Sequence, residues 1–147
     1  MNQVTNRMLD KVNRLEQENS RLPQVSVPLW HYFAPGLYAR QMLIRAGITL
    51  TGAVHKSEHI CIVSGNLNVT DDQEVRNIQA LQEIFVSLPG TKRAMYAIDD
   101  TYFTTVHATT ETDLEKLVSE LTHSTAQELI GGADNVQLIN NLLECVR

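Results

Sequence analysis

The sequence predicts a mainly β domain, a small barrel or jelly roll with an amphipathic helix before it and helices after it. Three observations carry that expectation. Between Leu37 and about Ala108, short runs rich in Val, Ile, Thr, Tyr and Phe alternate with glycine or polar clusters, the pattern of strands and turns. Before Arg21 and after Thr109 the apolar residues recur instead at intervals of three and four, which is the helical period. The chain has 147 residues, the length of one ordinary domain that buries a core without disulfide or metal staples.

The elements follow in order. Over residues 1–21 the apolar stripe is Met1, Val4, Met8, Val12 and Leu15, narrow and flanked by charge. A lone helix of this length is marginal in water, so the stripe needs cover. The reading favours a copy of itself in another subunit over its own domain, and so a homo-oligomer, a dimer or higher, assembled through this helix or a barrel edge. Pro23, Pro28 and Pro35 mark residues 22–36 as a linker carrying Trp30, Tyr32 and Phe33 as packing aromatics. The barrel occupies residues 37–109, with candidate strands at 38–44, 48–54, 60–64, 66–70, 84–88, 92–97 and 102–106. Asp71-Asp72-Gln73 and Asp99-Asp100 read as turns. In the C-terminal segment, residues 110–147, Thr112 caps a helix over 113–121 with Glu115 as reciprocal partner. Leu114, Leu117, Val118 and Leu121 form its apolar face. Gly131-Gly132 breaks the run before a last helix over 135–145, which presents Val136, Ile139, Leu142 and Leu143.

Composition narrows the function. With 17 acidic against 12 basic residues, the net charge of −5 offers no global attraction for a phosphate backbone, which argues against a nucleic-acid partner. Two cysteines, Cys61 in an apolar run and Cys145 near the C-terminus, make neither a disulfide framework nor a thiolate metal site, and fit a reducing compartment. No run is apolar for long enough to span a membrane, and the polar N-terminus lacks the layout of a secretory signal, so the expected setting is the cytoplasm. Glycine loops of the Walker or dinucleotide-binding kind and a Gly-x-Ser-x-Gly turn are missing, which argues against a kinase, an NTPase, a nicotinamide enzyme and a serine nucleophile.

The chemistry concentrates in residues 52–65, GAVHKSEHICIVSG, where His55, Glu58 and His59 precede an apolar strand. Imidazoles and a carboxylate converging at a strand mouth can ligate a metal, move protons or grip a small polar ligand. Along a continuous strand, residues an even number apart share a face, so His55 and His59 belong together and Glu58 points away unless a bulge intervenes. If His55 and His59 face one cavity, His107 or Glu58 joining from a neighbouring strand or loop would make a three-histidine or a two-histidine-plus-carboxylate metal set; the other reading is a histidine pair hydrogen-bonded at the strand entrance. Lys92, Arg93 and Tyr96 join the candidate ligand-binding residues, because an inward guanidinium demands an anionic partner. Arg40 and Arg45 have opposite parity and face one cavity together only across a bulge.

These residues resemble the two motifs of the cupin superfamily, small jelly-roll barrels. Glu58 lies seven residues before Gly65, as in the first motif, and His55 stands three before Glu58, matching the family's nearer histidine with a shortened loop. Pro89-Gly90 matches the second motif, but Arg93 stands where that motif has a histidine. The resemblance covers roughly residues 37–107. It implies the barrel fold and a metal site short of one ligand, which leaves either no cofactor or one divalent transition metal. Residues 91–109 and the Pro89-Gly90 before them also resemble small cupin-like proteins of tailed phages and prophages, which would place the protein in the host cytoplasm. Three functional classes result: a non-catalytic binder of a small anion, which in a phage would sequester a host nucleotide signal; a metal-dependent isomerase, epimerase or dioxygenase; and an oligomeric scaffold. The first is preferred.

Overall fold

The computed structural model describes residues 3–71 and 73–124, so the last expected helix, the Gly131-Gly132 break and Cys145 lie outside the described residues. The chain runs from helix α1 (Gln3–Asn19) through strands β1 (Leu29–Ala34), β2 (Leu37–Ile44), β3 (Thr49–Thr51), β4 (His59–Thr70), β5 (Val75–Ser87), β6 (Ala94–Ala97) and β7 (Thr101–Ala108) to helix α2 (Leu114–Leu121). The strands form one antiparallel sheet in the order β1-β2-β7-β4-β6-β3, with β5 paired to β4. The sheet curls into a half-barrel, as the jelly-roll expectation requires.

β4 makes the curl possible. On one side it pairs with β5 along nearly its full length; on the other its first half pairs with β7 and its second half with β6. The switch occurs at a bulge between Val63 and Gly65, where one strand bends and twists more sharply. Gly65 has φ 143, and a β-carbon there would sit 2.8 Å from the Asp100 carbonyl oxygen, so only glycine fits. Inside the curl Ile44, Val63, Leu67, Val69, Ile78, Ala97 and Phe103 form the main core.

Several expected elements differ. β1 falls within the expected linker: Pro28 and Pro35 bracket the strand instead of interrupting it, and Pro35-Gly36, with Gly36 at φ 75, makes the tight turn into β2. The two strands expected over 60–64 and 66–70 are one, because the glycine between them bulges without ending the strand. β5 begins well before the expected 84–88; its Gln-Ala-Leu-Gln-Glu stretch favours helix, but pairing with β4 overrides that preference. The strand expected over 48–54 shrinks to β3. Asp113, not Thr112, caps α2, its side chain accepting from the Lys116 backbone N–H at 3.0 Å, because the helix begins at Leu114 and puts Asp113 in the cap position.

α1 packs against β3 with Val12 buried, so its own domain covers at least part of the stripe. Lys92 Nζ ties the helix down by an ion pair with Glu16 and a 2.9 Å hydrogen bond to Asn13. No described helix is long and apolar enough to cross a membrane.

Candidate functional site

Alternation along the strands sends one set of side chains into the curl. On β2 these are Tyr38, Arg40 and Met42; on β7 Phe103, Thr105 and His107; on β4 His59 and Cys61. Register then sets their neighbours. His31, Arg40, Thr105, Cys61 and Phe85 form one continuous row across five strands. In the adjacent row Tyr38 stands opposite His107, and His59 opposite Ser87. All of these except Phe85 line one side of a cavity of about 1390 Å³, roofed by the end of α1 and the segment after it and closed at another side by α2.

His55 arrives differently. It lies in the loop before β4, anchored to the far end of α2: His55 bridges Thr122, Lys56 N–H donates to the Leu121 carbonyl at 2.8 Å, and His123 N–H donates to the Val54 carbonyl at 3.0 Å. The His55 carbonyl also accepts from Gly90 N–H at 2.9 Å. The imidazole therefore reaches the cavity although it is not on the strand that carries His59.

The three rings gather closely, with centroids 4.3 Å (His55 and His59), 4.6 Å (His59 and His107) and 5.3 Å (His55 and His107) apart. Each has one ring nitrogen held: His55 donates to the Ala53 carbonyl, His59 Nδ1 to the Ser57 carbonyl at 3.2 Å, and His107 Nε2 lies 3.0 Å from Thr105 Oγ1. A carbonyl can only accept, so His59 keeps its proton on Nδ1 and a lone pair on Nε2. His107 Nδ1 is buried and has no hydrogen-bond partner among the described residues. Burial, then the neighbouring His59 and His107, then Arg40, hold His55 down to about 3. Burial, then His59 and Arg40, hold His107 to about 4, and burial also lowers His59. All three are neutral at pH 7.

Arg40 is one of the charged residues that line this cavity. Its side chain is partly buried, with one face on the open volume, and burial pulls its pKa below the usual range, opposed by Tyr38. Among the described residues no carboxylate pairs with it. Its neighbours are Tyr38, whose hydroxyl lies 2.5 Å from His31 Nδ1 and is raised to about 12 by burial, and His31, lowered to about 4 by burial and by Arg40. Arg93 also lines the cavity, donating to the Thr70 carbonyl at 2.9 Å and to Ser87 Oγ at 3.1 Å, with its guanidinium 5.0 Å from the centre of the Phe85 ring.

The structure thus brings His55, His59, His107, Arg93 and Lys92 to one cavity, with Lys92 at its rim engaged by α1. Glu58 and Tyr96 stay outside: Glu58 is exposed with the outward parity of β4, and Tyr96 is exposed on the outer side of β6. Arg45 is exposed as well, paired with Asp100 at 2.8 Å. Arg40 was recognisable from its alternation with Tyr38 and Met42, but His31 sat in an apparent linker and carried no signal.

No family model matches the chain, and no curated protein matches it in sequence. Solved structures do. KdgF from a Halomonas species aligns with a TM-score of 0.50 at 16% identity, over 65% of this chain and 94% of that one. Salicylate 1,2-dioxygenase from Pseudoaminobacter salicylatoxidans aligns with a TM-score of 0.51 at 14% identity over 78% of this chain, which spans 34% of the dioxygenase. Both are cupin superfamily proteins. The chain has the cupin fold.

Cupins often bind a metal, and the residues of this chain do not fit one as arranged. An ion ligated by imidazole lies in the ring plane along a nitrogen lone pair. Here the His107 ring lies 16° from parallel to His55 and 27° from parallel to His59, while His55 and His59 are tilted by 40°, so two of the three pairs stack face to face. The first-motif carboxylate faces solvent, the second-motif position holds a guanidinium, and Arg40 adds a cation beside the rings. Among the described residues no group of three His, Cys, Asp or Glu side chains is arranged to hold a metal ion.

Proposed function

We propose that this cupin binds a small anionic molecule in its barrel cavity, with Arg40 as the group that receives the carboxylate or phosphate. Arg40 carries the reading: a guanidinium set deep on a cavity wall, with no described carboxylate to pair with it, is costly unless an anion comes to it. Its planar fork matches the two oxygens of a carboxylate or phosphate. Of the neutral imidazoles beside it, His107 can donate from Nδ1 when Thr105 Oγ1 donates to its Nε2, while His55 and His59, whose protons go to backbone carbonyls, present lone pairs that suit a hydroxyl of the ligand. His107 Nδ1, left unsatisfied, is one group a bound molecule would engage, after a small ring rotation. Arg93, above Phe85, adds positive potential from the other side of His59.

The ligand class is a small organic acid or phosphate ester, and the reading requires no reaction. A nucleotide, which a phage-encoded sequestering protein would take, belongs to that class, and a cavity of about 1390 Å³ has room for it. The experiment is a thermal-shift screen of carboxylates, sugar phosphates and nucleotides against the wild type and Arg40→Met. A true ligand at about 100 times its Kd stabilises the wild type by about 2.7 kcal/mol and leaves Arg40→Met unmoved. An equal shift in both proteins would remove Arg40 from the site.

A further inference from the structure

Arg40 and Arg93 flank one row of cavity side chains at its two ends. Register across β2, β7, β4 and β5 sets Tyr38 opposite His107 and His59 opposite Ser87, and the His59 and His107 rings, 4.6 Å apart, join the two pairs into one row. Arg40 stands beside the first end, two residues from Tyr38 on the same face of β2, and its charge acts on His31, His55 and His107. Arg93 stands at the other end. It donates to Ser87 Oγ at 3.1 Å and to the Thr70 carbonyl at 2.9 Å, and its charge acts on His59 and Cys61. Ser87 and Thr70 offer neutral oxygens, which hold the guanidinium fork still and leave its charge in place. Around the row the inward side chains of β7 and β4 are Phe103, Thr105, His107, His59 and Cys61, none of them an acid. The two carboxylates that line the cavity among the described residues lie elsewhere, Glu16 paired with Lys92 at the roof and Glu115 exposed on α2. Asp71, on which Arg93 and Arg76 both act, has its Oδ1 committed to the Gln73 and Glu74 N–H groups of its own turn.

We propose that the ligand is a short molecule with an acid group at each end, lying along the histidine row with one acid on Arg40 and the other on Arg93. This rests on the reading of the cavity as an anion site and narrows the ligand class within it. Three strand spacings of about 4.8 Å separate β2 from β5, about 14 Å at the backbone. Arg40 reaches inward from one limit and Arg93 is tethered at the other, so once each holds an acid group the gap left is bridged by a chain of a few atoms. An acid charged at one end only, a mononucleotide included, engages one arginine and leaves the second cation facing the first across a half-dry cavity. A molecule charged at both ends relieves both, and its middle passes His59 Nε2, where a hydroxyl finds an acceptor.

Isothermal titration calorimetry of the full chain tests this with succinate, glutarate, adipate and phosphonopropionate, each beside its one-ended counterpart, butyrate, valerate, hexanoate and propylphosphonate. Arg40→Met, Arg93→Met and Arg93→Lys are titrated alongside, with circular dichroism as the check of folding. The expected result is a two-ended acid of one length that binds the wild type about 10- to 100-fold tighter than its counterpart. Arg93→Met should bind the two alike, and Arg40→Met should bind neither. Arg93→Lys, a point charge without the fork, should keep only part of the preference and carries the test if the methionine variant misfolds. A wild type with no preference at any length, or a preference left intact in the folded Arg93 variants, overturns the proposal; the anion site itself then stands if Arg40→Met abolishes binding of the one-ended acids. No binding of any of these acids at millimolar concentration overturns both.

Discussion

His59 of β4 and His107 of β7 lie with ring centroids 4.6 Å apart and planes 27° from parallel, and burial keeps both below the usual imidazole range. Stacking at this distance is comfortable only for neutral rings, because two imidazolium ions so close in a partly dry cavity repel strongly. The barrel therefore holds its histidines in the unprotonated state.

This sets the pH dependence of stability. His31, His55 and His107 stand at about 4, 3 and 4 in the folded chain against an ordinary 6.5. Between those limits the unfolded chain binds protons that the folded chain refuses, so stability rises with pH there and falls as the solution is acidified. The contribution is complete above about pH 6.5 and is lost progressively down to about 3–4. Thermal melts should show a lower Tm at pH 5 than at pH 7.5, a window in which histidine dominates the titration. The drop should shrink in His55→Gln. A flat profile from pH 7.5 to 5 would mean that the rings are already protonated or solvated.

Arg40 predicts an exchange of stability for binding. Without a ligand its guanidinium is partly buried and unmatched by a described carboxylate. Arg40→Met, similar in length and apolar, should stabilise the empty protein by about 1–2 kcal/mol in urea unfolding. It should at the same time abolish any anion-induced shift. A destabilised Arg40→Met would point to an internal partner.

Gly65→Ala should be among the most damaging small substitutions in the chain. The new methyl would meet the Asp100 carbonyl at 2.8 Å, and φ 143 is a conformation that alanine avoids. The bulge that turns β4 from β7 to β6 has little room to relax. A loss of about 2–3 kcal/mol is expected from chemical denaturation, whereas Gly90→Ala, with nothing within 4 Å of its added carbon, should cost less.

Lys92→Ala tests the fastening of α1. The lysine joins the sheet to Glu16 and Asn13 of the helix, and Glu16 stands at the cavity roof. Loss of a partly exposed ion pair costs only about 0.5–1 kcal/mol, so Tm should hardly move. Amide exchange in α1 should instead quicken while β4 and β7 stay protected. Unchanged protection of the helix would place its anchor elsewhere, at Val12.

The histidine cavity was partly legible before the fold was known, because alternation is local. The parity argument that separates His59 from Glu58 holds in the structure, with His59 buried and Glu58 exposed. His55 does not obey it as a strand residue, since it sits in a loop that the end of α2 holds in place. The expected contribution of Tyr96 failed for a related reason. β6 is only Ala94–Ala97, and its outward and inward positions depend on pairing with β3 and β4, which composition does not reveal. β1 was hidden by its prolines and β5 by helix-favouring residues.

What the amino-acid sequence determined by itself is what near neighbours impose: a mainly β barrel between helical ends, the turns at glycine and aspartate, and the inward parity of His59. Tertiary structure alone decided which strands lie side by side, and with that the meeting of Arg40 with His31, Tyr38 and His107. The reason is physical. Side-chain direction follows from a two-residue repeat that any short stretch contains, whereas cross-strand register is set by packing between segments far apart in the chain, and a shift of one residue would turn every one of these groups to the opposite face.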